Sequence, residues 1–278
     1  MSGEGALAIR QLAGHVVEKL WGRRDVPLQL ADARHTAEPV GEVWFADAAA
    51  PDLMVKWLFT SEKLSIQVHP DDALAQASGH KRGKEEAWYV ISAEPGAVIG
   101  AGFAEALTTD ELRAASLDGR VEALMTWHPA GPGDFFHVPA GTVHAIGAGL
   151  SLIEIQQNVD LTYRLFDYGR PRPLQLDEGL AAAVAAPFVP AAPLPAGPAR
   201  TQLVASPRFA IERLVGVADH HVTASAAQPA WLIPVAGDCR AGDTPLPAFT
   251  VWLADAAATI NLGPGSCLLV ARAGPPAP

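Results

Sequence analysis

The alternation of apolar and polar positions divides the chain into short strand-like runs. Residues 53–69, LMVKWLFTSEKLSIQVH, are rich in β-branched and aromatic side chains and read as two strands split at Ser61-Glu62-Lys63. Residues 86–103 read the same way, with EAWYVI and AVIGAGF separated by a turn at Glu94-Pro95-Gly96. Residues 105–128 are the best helical stretch: Thr108 or Thr109 supplies the cap, and Asp110 and Glu111 favour the positive end of the helix dipole. Strand-like runs return over 133–168 as FFHVPAG, TVHAIGAG, SLIEIQQNV and TYRLFDY. After an Ala/Pro-rich stretch they resume from residue 201 as QLVAS, FAIERLVGV, AWLIPVAG, FTVWLAD, ATINLG and CLLVAR, each closed by Gly, Pro or Asp. The expected fold is mainly β: a larger N-terminal β domain with a few helices over residues 1–180, a linker over 181–200, and a smaller all-β domain over 201–278.

Composition narrows the function classes. The chain has 278 residues, 49% of them hydrophobic and 18% charged, which is too apolar for a disordered chain and enough to bury a core. Its 20 Lys+Arg against 30 Asp+Glu give a net charge of −10, which argues against a nucleic-acid or anionic-membrane partner. A small anionic substrate needs only a local cationic pocket. Cys239 and Cys267 are too few for a disulfide framework. MSGEGALAIRQ lacks a basic segment followed by an apolar one, so no signal peptide is expected and the default location is cytoplasmic. The longest uncharged window, Gly179 to Ala199, holds Pro187, Pro190, Pro193, Pro195 and Pro198, which break the helix that a membrane span would need.

Four residues carry candidate chemistry: Gln67, His69, Glu86 and His144. In Ser65-Ile66-Gln67-Val68-His69, alternation puts Ser65, Gln67 and His69 on one face of a strand, so Gln67 and His69 can converge on one ion. Glu86 opens the next strand, and His144 follows a tight turn at Pro139-Ala140-Gly141. Two imidazoles, a carboxylate and an amide oxygen suit Zn²⁺ with an open position, and would also tolerate Mn²⁺, Fe²⁺ or Co²⁺. His137 reads as a structural strand residue, His128 as a loop residue, and Asp71-Asp72 as a turn and helix cap.

The segment Gly133-Asp-Phe-Phe-His-Val-Pro139-Ala-Gly141-Thr-Val-His144 resembles the second cupin motif, departing from it at Ala148; the first motif has Gln67-x-His69 in place of His-x-His. Several segments together closely resemble the type I mannose-6-phosphate isomerases: Leu64 to Asp72, Gly83 to Val90, Pro139 to Ile146, Glu154 to Gly169, and Gly41-Glu42-Val43-Trp44. The likeness runs in order over roughly residues 15–170 and is weak beyond residue 200. It implies two cupin-like β-barrel (jelly-roll) domains, the second without metal, since His220 and His221 form no ligand pattern.

The resemblance further implies a zinc-dependent isomerase, one Zn²⁺ per chain, that interconverts mannose 6-phosphate and fructose 6-phosphate through a cis-enediol. Carried over by motif, Gln67, His69, Glu86 and His144 are the metal ligands, Arg164, Lys84 and Glu154 the catalytic residues, and Lys56 and Ser65 substrate-binding residues. The base is left open between Glu154, a metal-bound water and Lys84. Lys81 and Arg82 are candidates for a rim. A monomer or weak homodimer is expected. The alternatives are a metal-dependent cupin of another class, such as a dioxygenase, and a non-catalytic sugar-binding cupin.

Overall fold

The computed structural model describes residues 9–27, 30, 36–190 and 199–274. The first part of the chain runs β1 (Ile9–Gln11), β2 (His15–Arg23), β3 (Val40–Phe45), β4 (Leu53–Phe59), β5 (Ile66–Val68), α1 (Asp72–Ala77), β6 (Glu86–Ala93) and β7 (Val98–Phe103). It continues with α2 (Thr109–Asp118), α3 (Val121–Leu124), β8 (Met125–Pro129), β9 (Phe135–Val138), β10 (His144–Ile146), β11 (Leu150–Gln157), β12 (Tyr163–Phe166) and α4 (Leu176–Ala182). The rest is strand: β13 (Arg200–Ala205), β14 (Phe209–Val215), β15 (Ala218–Val222), β16 (Ala230–Ala236), β17 (Cys239–Ala241), β18 (Thr244–Pro245), β19 (Trp252–Ala254), β20 (Ala258–Leu262) and β21 (Cys267–Ala273).

These strands make two antiparallel barrels, so the mainly β fold with few helices is as expected. The first barrel faces a six-stranded sheet, β2-β3-β4-β11-β6-β9, against a five-stranded one, β12-β5-β10-β7-β8. The second faces β1-β19-β16-β21-β14-β13 against β15-β20-β17-β18. Strand β1 pairs with β19, so residues 9–11 extend the sheet built by residues 200–273.

Side-chain alternation explains how the layers stack. From β4, Leu53, Val55, Trp57 and Phe59 enter a core shared with Phe209, Ile211, Trp231 and Leu269 of the second barrel. The residues between them, including Lys56 and Leu58, point the other way, into the first barrel. The outer face of the five-stranded sheet, with Ile66, Val68, Val143 and Leu165, is covered by the helices through Ala75, Leu112, Ala115 and Leu180. The middle of the six-stranded sheet is therefore buried on both faces, and every residue of β4 and β11 is buried.

Three local readings are refined. Asp71 caps α1 by accepting from Leu74 N at 2.8 Å. Thr108 caps α2 in a capping box with Glu111, but the helical stretch expected over 105–128 is shorter. Gly119, at φ 83°, ends α2, and Met125 begins β8, whose Met125, Trp127 and His128 pair with β7. His128 is thus a strand residue, not a loop residue. The Ala/Pro-rich stretch begins with α4, and Val184 and Ala186 bond to Gly141 and Phe103 of the first barrel. The linker positions 191–198 lie outside the described residues. No helix among the described residues is long and apolar enough to cross a membrane.

Candidate metal centre and cleft

Two cross-strand rows build the site, one on each sheet of the first barrel. In the six-stranded sheet, register aligns Trp44, Lys56, Glu154, Trp88 and Phe136 in that order. In the five-stranded sheet it aligns Arg164, Gln67, His144 and Ala101. Residues thus far apart in sequence become direct neighbours on an inward-facing surface. His69 leaves β5 on the same face as Gln67. It is held by Gly141 N, which donates to its carbonyl at 2.8 Å. Lys84 is placed by its own N–H on Pro70 O, 3.0 Å away, and by Gly83. A Cβ on Gly83 would overlap the carbonyl group of Asp71, so only glycine lets the two segments approach this closely.

At the closed end, one ligand atom each from His69, Glu86 and His144 lie within 4.8 Å of one another, and all three residues are buried. His144 Nε2 is 3.1 Å and His69 Nε2 3.5 Å from the Glu86 carboxylate. His144 Nδ1 donates to Thr142 O at 2.8 Å, which leaves Nε2 with its lone pair aimed into the pocket. Burial pushes both imidazoles below their ordinary range, His69 to about 3 with further help from Lys84. They are therefore neutral and ready to bind a cation at pH 7. Burial alone would raise the Glu86 carboxyl, but Lys84 and the two imidazoles hold it well below its usual value. Both Glu86 oxygens are buried without a well-directed hydrogen bond. A buried carboxylate flanked by two neutral imidazoles fits a divalent cation.

Gln67 lies beside this trio, its amide nitrogen 3.2 Å from His144 Nε2 and its Oε1 accepting from Ser65 Oγ at 3.0 Å. A half-turn of the amide would exchange the two ends and aim the oxygen at an ion. Ser65 here orients Gln67.

Above the trio sits a second charged cluster. Lys84 Nζ is 2.8 Å from Glu86 and 3.7 Å from Glu154, and 3.1 Å from His69 Nε2. Lys56 Nζ is 3.2 Å from Glu154 and lies over the Trp44 ring at 4.7 Å. Trp88 Nε1 donates to the other oxygen of Glu154 at 3.1 Å. Burial would lower the Lys84 ammonium, but Glu154 and Glu86 hold it above its ordinary value, so it stays charged. Arg164 is half-buried, makes no ion pair with Asp160 or Asp167 and has its Nε buried without a partner. Burial and then Arg172 lower it from its ordinary value.

All nine candidate residues are therefore in or next to one cleft. Lys56, Ser65, Gln67, Lys84, Glu154 and Arg164 line it, and His69, Glu86 and His144 lie at its base. Lys81 and Arg82 do not line it; Arg82 pairs with Asp52 at 2.9 Å instead. His137 is structural, 3.0 Å from Glu85. Sequence reasoning assigned no site role to Lys19, Trp21, Glu42, Asp160, Thr162 and Arg172, which also line the cleft. Trp21-Gly22 and Gly41-Glu42-Val43-Trp44 stand out in the sequence, but only the β2-β3-β4 register brings them here.

The chain resembles known proteins both in sequence and in fold. No family model matches the chain. It is 44% identical over 134 residues to mannose-6-phosphate isomerase of Streptococcus mutans, covering 46% of this chain and 42% of that one. It is 44% identical over 119 residues to mannose-6-phosphate isomerase ManA of Bacillus subtilis, covering 42% and 38%. The chain thus spans less than half the length of the curated relatives it matches. In structure, the mannose 6-phosphate isomerase of Bacillus subtilis superposes with a TM-score of 0.75 at 24% identity, over 95% of this chain and 99% of that one. A zinc-bound mannose 6-phosphate isomerase gives 0.73 at 14%, over 97% and 100%. The fold is that of the phosphomannose isomerases, and under half of the chain aligns with these two curated relatives in sequence.

Proposed function

We propose that this protein is a zinc-dependent aldose–ketose isomerase interconverting mannose 6-phosphate and fructose 6-phosphate. The observation that carries the reading is the base of the cleft. Three buried donors from β6, β10 and the end of β5 converge there, beneath a buried Lys–Glu–Lys cluster that lines the cleft. In this reading one Zn²⁺ per chain is held by Gln67, His69, Glu86 and His144. The N/O donor set and the neutral imidazoles suit it. When bound, the ion supplies Lewis-acid stabilisation of negative charge on a carbonyl oxygen. The first barrel is the catalytic domain and the second a metal-free one.

The remaining work falls to the chain. Moving a proton between C1 and C2 through a cis-enediol needs a carboxylate close to both carbons and cations to hold the enediolate charge. Glu154 is our candidate base. Its oxygens are fixed by Lys56 and by the Trp88 N–H, and the residue is buried. Lys84, held in its charged form, serves as a cation or acid and not as a base. Arg164, which makes no ion pair with Asp160 or Asp167 and is in register with Gln67, stabilises charge on the reacting oxygens. Removing one such donor commonly costs about 2.7–4 kcal/mol of barrier.

The test is a coupled assay for fructose 6-phosphate formed from mannose 6-phosphate by the zinc-loaded chain. Turnover that falls in Arg164→Ala and Glu154→Gln with zinc still bound supports the reading. A folded, zinc-loaded chain without turnover rejects it.

A further inference from the structure

Glu85 and Glu86 are neighbours that the pleat of the chain sends to opposite faces as β6 begins. Glu86 enters the first barrel as part of the trio. Glu85 turns towards the second barrel. Its Oε1 lies 3.0 Å from His137 Nε2, and Ser206 hydrogen-bonds the same carboxylate. His137 in turn meets Phe209 edge to face, with ring centroids 6.1 Å apart. Ser206 and Phe209 bracket the turn between β13 and β14, Ser206-Pro207-Arg208-Phe209, which is fixed from its own side. Ser206 N donates to Phe209 O at 2.9 Å. Ser206 Oγ accepts from Arg208 N at 3.0 Å and Phe209 N at 3.2 Å, which leaves its hydroxyl hydrogen for Glu85. The Phe209 ring is buried in the core that the two barrels share.

The same turn reaches the first barrel by a second route. Arg208 Nη1 lies 2.9 Å from Asp72 Oδ2. The other oxygen, Oδ1, accepts from Gly83 N at 2.8 Å and from Gln157 Nε2 at 2.9 Å. Gln157 Oε1 accepts from Glu85 N at 3.0 Å, and Gln157 N donates to Glu85 O at 3.1 Å. Burial would raise the Asp72 carboxyl, but Gln157, Gly83 and Arg208 hold it below its ordinary value. Asp72 opens α1 shortly after His69, and Gly83 immediately precedes Lys84. One carboxylate thus ties together both ends of the segment that carries His69, Lys84 and Glu86, and links it to the second barrel. Between β5 and β6 this segment forms no strand, so these side-chain bonds, with Lys84 N on Pro70 O, set where Lys84 stands.

We propose that the Ser206–Phe209 turn of the second barrel is a positioning element for the first barrel's site, with Arg208 acting through Asp72 to hold Lys84 and Glu86 in place. The metal-free barrel thereby does more than back the sheet. The proposal rests on the zinc-isomerase reading above and adds the part that the second barrel plays in it.

A half-exposed ion pair adds little to global stability, and the Arg208 side chain is 42% exposed, so its variants should fold. The test measures zinc affinity by competition with a chromogenic chelator, and mannose 6-phosphate kinetics, on the full chain. Wild type is compared with Arg208→Ala, Arg208→Lys, Asp72→Asn and the double variant Arg208→Ala with Asp72→Asn. Arg208→Ala is expected to weaken zinc about tenfold and to lower kcat by a similar factor, with KM held within about threefold. Arg208→Lys keeps a cation opposite Asp72 and should recover most of both losses. Asp72→Asn keeps an acceptor for Gly83 and Gln157 but removes the charge that faces Arg208. The double variant should be no worse than Asp72→Asn alone, because the two residues act in series. Zinc affinity and kcat unchanged in Arg208→Ala, whether or not its melting temperature falls, overturn the proposal, and an active wild type then leaves the isomerase reading intact. Single-variant effects that multiply in the double variant also overturn it. Zinc affinity that depends on Arg208 in a wild type without turnover upholds the brace and rejects the isomerase reading.

Discussion

The strands that line the first barrel send Lys56, Gln67, Glu86, His144 and Glu154 inward, alongside Trp88, Leu58 and Leu152, and the loop before β6 adds Lys84. In the second barrel the corresponding space holds Leu214, Leu232, Ile260, Leu268 and Val270, with Cys239 and Leu246 among them. That barrel also carries buried charge, gathered around the single carboxylate of Glu212. Arg272 pairs with Glu212 at 2.9 Å, and Arg200 closes the same carboxylate from the other side at 2.7 Å. Burying charge costs more than a well-packed apolar replacement, so a lattice of buried ammonium and carboxylate groups is weak support for a fold. The first barrel carries that cost where the candidate site lies. The second is an ordinary core, and its sheet backs β4 and β11, the strands that hold Lys56 and Glu154.

The contrast can be broken from either side. The largest effect is expected from Glu86→Gln, which removes the central anion of the trio: turnover should fall on the order of 10²–10³-fold, with zinc lost on dialysis as measured by elemental analysis. Next, Ile260→Ala in the second barrel should cost about 2–5 kcal/mol in a denaturant melt while leaving kcat and zinc content unchanged. Lys56→Met in the first barrel should cost about 3 kcal/mol because it strips Glu154 of its nearest cation. The double variant Lys56→Met with Glu154→Leu should regain most of that stability and none of the activity.

Acid separates the two interiors further. Above pH 6.5 neither the folded nor the unfolded chain protonates the site histidines, and they contribute nothing to pH dependence. Below it the unfolded chain takes up protons that the buried imidazoles refuse, so stability falls as pH drops from 6.5 towards about 3, the value to which burial pushes His69. The metal-free protein should lose up to roughly 1.4 kcal/mol per pH unit through each such group. His69→Gln should show a shallower slope in melts at pH 6.5, 5.5 and 4.5. The smallest effect is expected from Trp88→Phe, which leaves a Glu154 oxygen without its N–H donor: about 1–3 kcal/mol, read as a drop in kcat with zinc retained.

The candidate ligands were legible in the sequence because their geometry is local. Gln67 and His69 share a face by strand alternation, and His144 is delivered by the turn whose Gly141 takes φ 88°. The Asp71 and Thr108 caps were legible for the same reason. What sequence reasoning did not reach depends on register between distant strands. Glu42, Lys19 and Arg172 enter the cleft only once β2, β3 and β4 and the turn after β12 are laid side by side. The end of α2 was misjudged because Met125-Thr-Trp-His has an apolar spacing that fits a helix turn as well as a strand edge. Pairing with β7 decides it. The two-sided burial of β4 was hidden because the second face is covered by residues some 150 positions away, a separation no local pattern records.

If the trio at the base of the first barrel binds the catalytic ion, turnover must follow metal content. The protein is stripped with chelator, zinc is added in fractional steps, and bound metal and mannose 6-phosphate turnover are measured on the same samples. Turnover proportional to bound zinc, saturating at one ion per chain and absent in Glu86→Gln, is the expected result. Full turnover in the stripped protein, or zinc that saturates without restoring turnover, would contradict it.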